Sequence, residues 1–153
     1  MPHTPSLNTA SHAKPAHADS SGSPDPDLAA LLDASPNSII KMDRDFRIIY
    51  ANARAIRVSQ LGPDGAVGQI YWEARPAMRG TLLEENFLAA MRERTTRQFE
   101  FFHQQLGIWL DVLVAPCSEG LAVFYKDISA SKLVEQNRDA AARRLQQAFD
   151  ATP

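Results

Sequence analysis

The sequence predicts an α+β domain: a five-stranded antiparallel sheet with its helices gathered on one side. Three observations carry that expectation. "TRQFEFFHQQ" and "IWLDVLVAP" alternate with the two-residue period of strands and are joined by a short turn at Gly107. "TLLEENFLAAMRE" instead places Leu83, Phe87, Ala90 and Met91 at helical spacing. "LAVFYKDISASKLVEQ" changes period across Lys126-Asp127-Ile128, so a strand runs into a helix with almost no loop.

At 153 residues the chain fits one domain plus extensions, and 44% hydrophobic residues are enough for a core. A net charge of -2 with interspersed signs offers no basic stripe, so a nucleic-acid partner is not expected. One cysteine, Cys117, excludes an internal disulfide and a multi-cysteine zinc site. No apolar run approaches a membrane span, and the expected setting is cytoplasmic, away from membranes.

Residues 1–25 are rich in Ser, Pro, Ala and His and read as a disordered tail, with His3, His12 and His17 as ordinary tail residues. The domain is expected over 26–129. Asp25 or Asp27 caps a short helix carrying Leu28, Leu31 and Leu32, ended by Pro36. "SIIKMDRDFRIIYAN" forms a hairpin around an Asp-Arg-Asp-Phe turn, and Asn52 caps a helix over 53–60. "LGPDGAVG" is a loop. Thr81 and Glu84 suggest a capping box for a helix reaching about Arg94. Strands over 96–104, 108–116 and 120–127 finish the sheet. The expected register sets Phe101 opposite Leu110 and Phe102 opposite Trp109.

Phe99, Phe101 and His103 then share the core face with Leu110, Val112 and Val114. The other face carries Phe102, Trp109 and Leu113, and large aromatics there want a cover. The first helix, a second copy of the chain, or both are the candidates, which makes Phe102, Trp109 and Leu113 the expected dimer face.

From Leu31 to about Gln136 the chain resembles a PAS (Per-Arnt-Sim) sensory domain of bacterial sensor histidine kinases and diguanylate cyclases. The carrying pieces are "LLDASPNSIIKMDRDFRIIYAN", the Gly68, Trp72, Glu73, Pro76 segment, Trp109 with Val112 and Pro116, and "EGLAVFYKDIS". Two positions depart: Phe46 stands where the family usually has Gly, and Ser129 where it has Thr. The resemblance implies a PAS fold followed by a C-terminal signalling helix over 130–153. Asp127, Ile128 and Ser129 would form the signal junction, Asp127 pairing near the first hairpin with Arg44 or Arg47 and Ser129 capping the helix. The bland alternative for Asp127 is a solvated strand-end acid. Val134, Ala141, Leu145 and Ala148 follow near-heptad spacing, as in the start of a coiled coil.

The implied function is a non-catalytic sensing and relay module of a two-component or second-messenger protein. A homodimer is expected, with a kinase or cyclase output domain beyond Pro153 or in trans. The alternative is a constitutive dimerisation module with a filled core. Trp72, Met78, Phe87, Met91, Phe99, Phe101 and Leu110 are the ligand-cavity candidates, and the same residues equally suit a filled core. No cofactor is required and an unknown small molecule is allowed. Covalent flavin is not expected, because Cys117 lies in a turn outside the reactive-cysteine segment of light-sensing relatives. Haem is not expected either, since the helix before the third strand lacks histidine. A His103 dyad with Glu100 or Asp111 fails on alternation, which sets His103 on the opposite face.

Overall fold

The computed structural model describes residues 25–59 and 65–151. Residues 1–24 with the three tail histidines, residues 60–64 of the Gly/Pro loop region, and residues 152–153 lie outside the described residues. The elements are α1 (Pro26–Ala34), β1 (Ser38–Asp43), β2 (Ile48–Ala51), α2 (Ala53–Ser59), α3 (Tyr71–Ala74) and a 3-10 turn Pro76–Met78. They continue with α4 (Leu82–Glu93), β3 (Arg97–His103), β4 (Ile108–Cys117), β5 (Gly120–Asp127) and α5 (Ser129–Asp150). The five strands form one antiparallel sheet in the order β2-β1-β5-β4-β3, with β5 crossing back between the two hairpins. The register sets Phe101 against Leu110 and Phe102 against Trp109, as the alternation predicts.

Local chemistry fixes the turns. Asp43 Oδ1 accepts from the backbone N–H of Asp45 and of Arg47, both at 2.9 Å, which closes the first hairpin. Phe46 takes the left-handed conformation, φ 61°, that a glycine would adopt freely. For a bulky residue this costs about 1–2 kcal/mol. Its ring packs 5.3 Å from that of Trp72, and its carbonyl accepts from Tyr71 N–H at 2.8 Å, so the strained residue also docks α3.

Asn52 is fully buried and does more than cap α2. Its Oδ1 accepts from Ala55 N–H and Ile39 N–H, while its Nδ2 donates to the carbonyls of Leu32 and Asn37. One side chain thus fastens α1, β1 and α2 together. The capping box at α4 does not form. The Thr81 hydroxyl donates back to Met78 O at 2.6 Å, and the Glu84 carboxylate lies 3.9 Å from the Arg79 guanidinium. Arg94 ends α4 at φ 56° and grips the β4–β5 turn through the carbonyls of Gly120 and Cys117.

The core lies between the inner face of the sheet and α3–α4. Met42, Val112, Val114, Leu121 and Val123 from the strands meet Leu83, Phe87 and Ala90 from α4, with Trp72 and Met78 closing the top. α5 leaves the sheet with no buried residue. No helix among the described residues is long and apolar enough to cross a membrane.

Candidate functional site

The aromatic residues that suit a cavity instead fill the core. Trp72 stacks at 5.1–5.8 Å from the rings of Tyr71, Phe46 and Phe87, with Arg79 over its outer face. Met78, Phe87 and Phe101 are buried in the same cluster, and Met91 and Phe99 pack against it. Of the predicted cavity residues, Leu110 is the one that borders the cavity formed by the described residues under α2 and α3. The others meet one another because α4 lies over the middle of the sheet.

A cavity of about 130 Å³ opens further along the sheet, under α2 and α3. Its apolar wall comes from Ile40, Ile48, Ala55, Val58, Ile108 and Leu110. Arg54, Tyr71, Arg75, His103, Tyr125 and Asp127 supply its polar groups. On this side α2 presents Ala55 to the sheet and the adjoining loop adds Ala66, both small side chains.

The polar groups are organised. The Tyr71 and Tyr125 hydroxyls lie 3.2 Å apart, which ties α3 to β5. Burial pushes both phenols above the ordinary tyrosine value, Tyr125 well above it, so both stay protonated. His103 Nδ1 accepts from Leu106 N–H at 3.3 Å, which leaves the ring proton on Nε2 when the imidazole is neutral. Burial, and then the Arg75 guanidinium, hold His103 below the ordinary histidine value. Arg75 donates Nη2 to Ser59 O. Arg54 makes no hydrogen bond or ion pair with any described residue, and no acid pairs with Arg75 among them.

Asp127 belongs both to the cavity wall and to the start of α5. Its Oδ1 accepts from Ser129 N–H at 2.9 Å, so the aspartate, not Ser129, serves the helix N-terminus. The Ser129 hydroxyl oxygen instead accepts from Trp109 N–H at 3.0 Å, and Ile128 N–H donates to Trp109 O at 2.9 Å. Lys132 lies 5.0 Å above the Trp109 ring and pairs with Glu100 on β3. Hydrogen bonding to Glu100 is the main reason the lysine is held above its ordinary value. The junction is therefore bolted to β4 and β3.

Arg44 and Arg47 take no part in it. Asp43 pairs with Gly120, at the opposite end of β5 from Asp127. An eight-residue strand puts about 23 Å between those ends, beyond the reach of an arginine. Arg47 spends its guanidinium on Gly68 O at 2.6 Å.

The outer face carries Phe102, 42% exposed, 5.4 Å from the half-buried Trp109 ring, with Leu113 set between Gln98 and Phe124. The first turn of α5 covers Trp109. α1 carries no buried residue, and Leu28 and Leu31 on it are exposed. His103 and the cross-strand pair Glu100–Asp111 occupy opposite faces, as alternation requires. No group of His, Cys, Asp and Glu suited to a metal occurs among the described residues.

Sequence reasoning missed Arg54, Tyr71, Arg75 and Tyr125. A signal was present in the tyrosines. Tyr125 falls on the core face with Val123, and Tyr71 precedes Trp72, so each buried hydroxyl needed a polar neighbour.

Residues 32–133 match the PAS fold family. Solved structures with the same fold include the photoactive yellow protein domain of the sensor histidine kinase Ppr from Rhodospirillum centenum. It is 20% identical, with a TM-score of 0.56 over 64% of this chain and 91% of that one. A PAS domain from Colwellia psychrerythraea is 16% identical, with a TM-score of 0.53 over 68% and 96% of the two chains. A sensory box sensor histidine kinase from Vibrio cholerae is 15% identical, with a TM-score of 0.53 over 65% and 88%. Curated protein sequences offer no significant match.

Proposed function

The chain belongs to the PAS fold family, and from that premise we propose that it is a non-catalytic sensing and relay module. In this reading the occupancy of the cavity under α2 and α3 sets the state of the α5 junction. One observation carries it: Asp127 borders the cavity and holds the first N–H of α5 with the same side chain. A molecule in the cavity that moves the aspartate changes how α5 leaves the sheet. Differential affinity for the two junction states is all that such a switch requires. At 22 residues α5 is about 33 Å long, so a small tilt at Ser129 becomes a large displacement at its end.

Leu133, Val134, Leu145 and Phe149 are exposed along α5. Their exposure supports a homodimer in which two such helices pair and pass the signal to a kinase or cyclase output domain. The same reading sets the module in the cytoplasm of a two-component or second-messenger system.

Ala55→Leu, which pushes methyl groups into the cavity in place of a ligand, tests the relay. Amide hydrogen exchange at 129–136 should change by several-fold relative to the parent chain, with exchange in α4 constant. Unchanged exchange at the junction would overturn the relay and favour a constitutive dimerisation module.

A further inference from the structure

We infer that the cavity takes a small carboxylate with an apolar body, its charge held between Arg54 and Arg75. This rests on the reading of the cavity as the sensory site and gives it a ligand class.

The argument begins with unspent donors. A guanidinium carries five N–H groups in a planar fork. Arg75 directs one to Ser59 O, and Arg54 directs none to a described residue. Both line one cavity beside an apolar wall, and the nearest acid in the lining, Asp127, forms no ion pair with either. The aspartate is engaged with α5 instead. Two cations with an acid committed elsewhere leave a place for an anion.

Further donors point the same way. Two hydroxyls that share one hydrogen bond, Tyr71 and Tyr125, leave one O–H free to donate. His103, with Nδ1 occupied by Leu106 N–H, offers Nε2–H. The uncommitted groups of the arginines, the tyrosine pair and the histidine are thus donors or cations, which suits an acceptor-rich ligand.

Charge and shape narrow the class. The lining holds Arg54 and Arg75 against Asp127, a balance of one positive charge, which fits a monoanion better than a phosphate carrying nearly two negative charges. The guanidinium fork matches the two oxygens of a carboxylate. The remaining wall, Ile40, Ile48, Ala55, Val58, Ile108 and Leu110, asks for hydrocarbon. A cavity of about 130 Å³ is close to the ~150 Å³ that holds benzene in an engineered protein, so the body is one ring or a short chain.

The test uses the whole chain with benzoate, hexanoate, benzamide and inorganic phosphate, read by calorimetry and by the thermal midpoint. Benzoate or hexanoate should bind at millimolar concentration or below and raise the midpoint by mass action. Benzamide, of the same shape without the charge, should bind at least about tenfold more weakly than benzoate, and phosphate more weakly than either carboxylate. Arg54→Gln and Arg75→Gln should each weaken carboxylate binding about tenfold or more. Arg54→Gln removes no hydrogen bond or ion pair with the described residues, so it remains informative if Arg75→Gln unfolds.

Equal binding of benzamide and benzoate, stronger binding of phosphate, full affinity in Arg54→Gln, or no binding of either carboxylate would overturn the assignment. The Ala55→Leu exchange experiment needs no ligand. A relay with the wrong ligand class would therefore still respond there, and a failed relay would not.

Discussion

The sheet beneath α4 and the sheet beneath α2 and α3 are made of the same strands but are filled by opposite means. Under α4, Phe87, Leu83 and Ala90 interlock with Met42, Val112, Val114 and Leu121, all essentially without exposure. Under α2, Ala55 faces the sheet and the space is bordered by arginines, tyrosines and a histidine. The first arrangement maximises contact and permits one packing. The second keeps room and leaves donors unspent, and Asp127 of the signal junction borders that end. In the proposed relay, stability and responsiveness fall to different stretches of one sheet.

Removing bulk from the sealed end should produce the largest effect. Phe87→Ala leaves a void among side chains that cannot collapse and should cost about 3–5 kcal/mol, read as a lower urea midpoint. A loss below about 1 kcal/mol would mean the two ends are packed alike.

Asn52→Ala comes next, since it strands the N–H groups of Ile39 and Ala55 and the carbonyls of Leu32 and Asn37. About 2–3 kcal/mol is expected from these losses. Because Asn52 fastens α1 to α2, limited proteolysis should first cut near residues 25–38. Simultaneous loss of protection at both ends of the sheet would show that they are not separable.

A matched pair of insertions sharpens the contrast. Ala90→Leu adds methylene groups to the sealed end and should destabilise by about 1–3 kcal/mol. Ala55→Leu adds the same atoms beside open space and should stay within about 1 kcal/mol of the parent in denaturant unfolding. Equal costs would mean that the cavity is not available volume.

The order of elements, the β3–β4 register and the capping role of Asn52 were legible because each rests on local period or local capping, whereas its bonds to Ile39, Leu32 and Asn37 were not. The position of the cavity was not. It depends on where α4 and α2 lie across the sheet, and helical spacing says which residues face inward but not what they meet. Trp72 and Phe87 therefore suited a cavity lining and a filled core equally. Asp127 was recognisable as a junction residue, but its partner followed from strand direction. An antiparallel β1 carries Arg44 and Arg47 to the wrong end of β5. Ser129 could cap α5 by residue type, yet the Trp109 N–H at the strand end claimed its hydroxyl.

His103 gives the smallest effect and the one most particular to the open end. Burial and the adjacent Arg75 hold its value in the folded chain below the ordinary one. Unfolded, it titrates near about 6.5. Between the two values the unfolded chain binds the extra proton, so this group's contribution is present above about pH 6.5 and is lost as the pH falls toward the folded value. His103→Gln should make the fall in urea midpoint between about pH 7 and 5 shallower. Phe87→Ala should shift the whole profile downward with its slope retained, because it leaves His103 in place. Arg75→Gln should raise the His103 value in an NMR titration by removing one of its two causes. A histidine that titrates at or above the ordinary value in the parent chain would mean that water already screens the guanidinium. The open end would then be a solvated cleft, and its arginines would hold an anion less tightly.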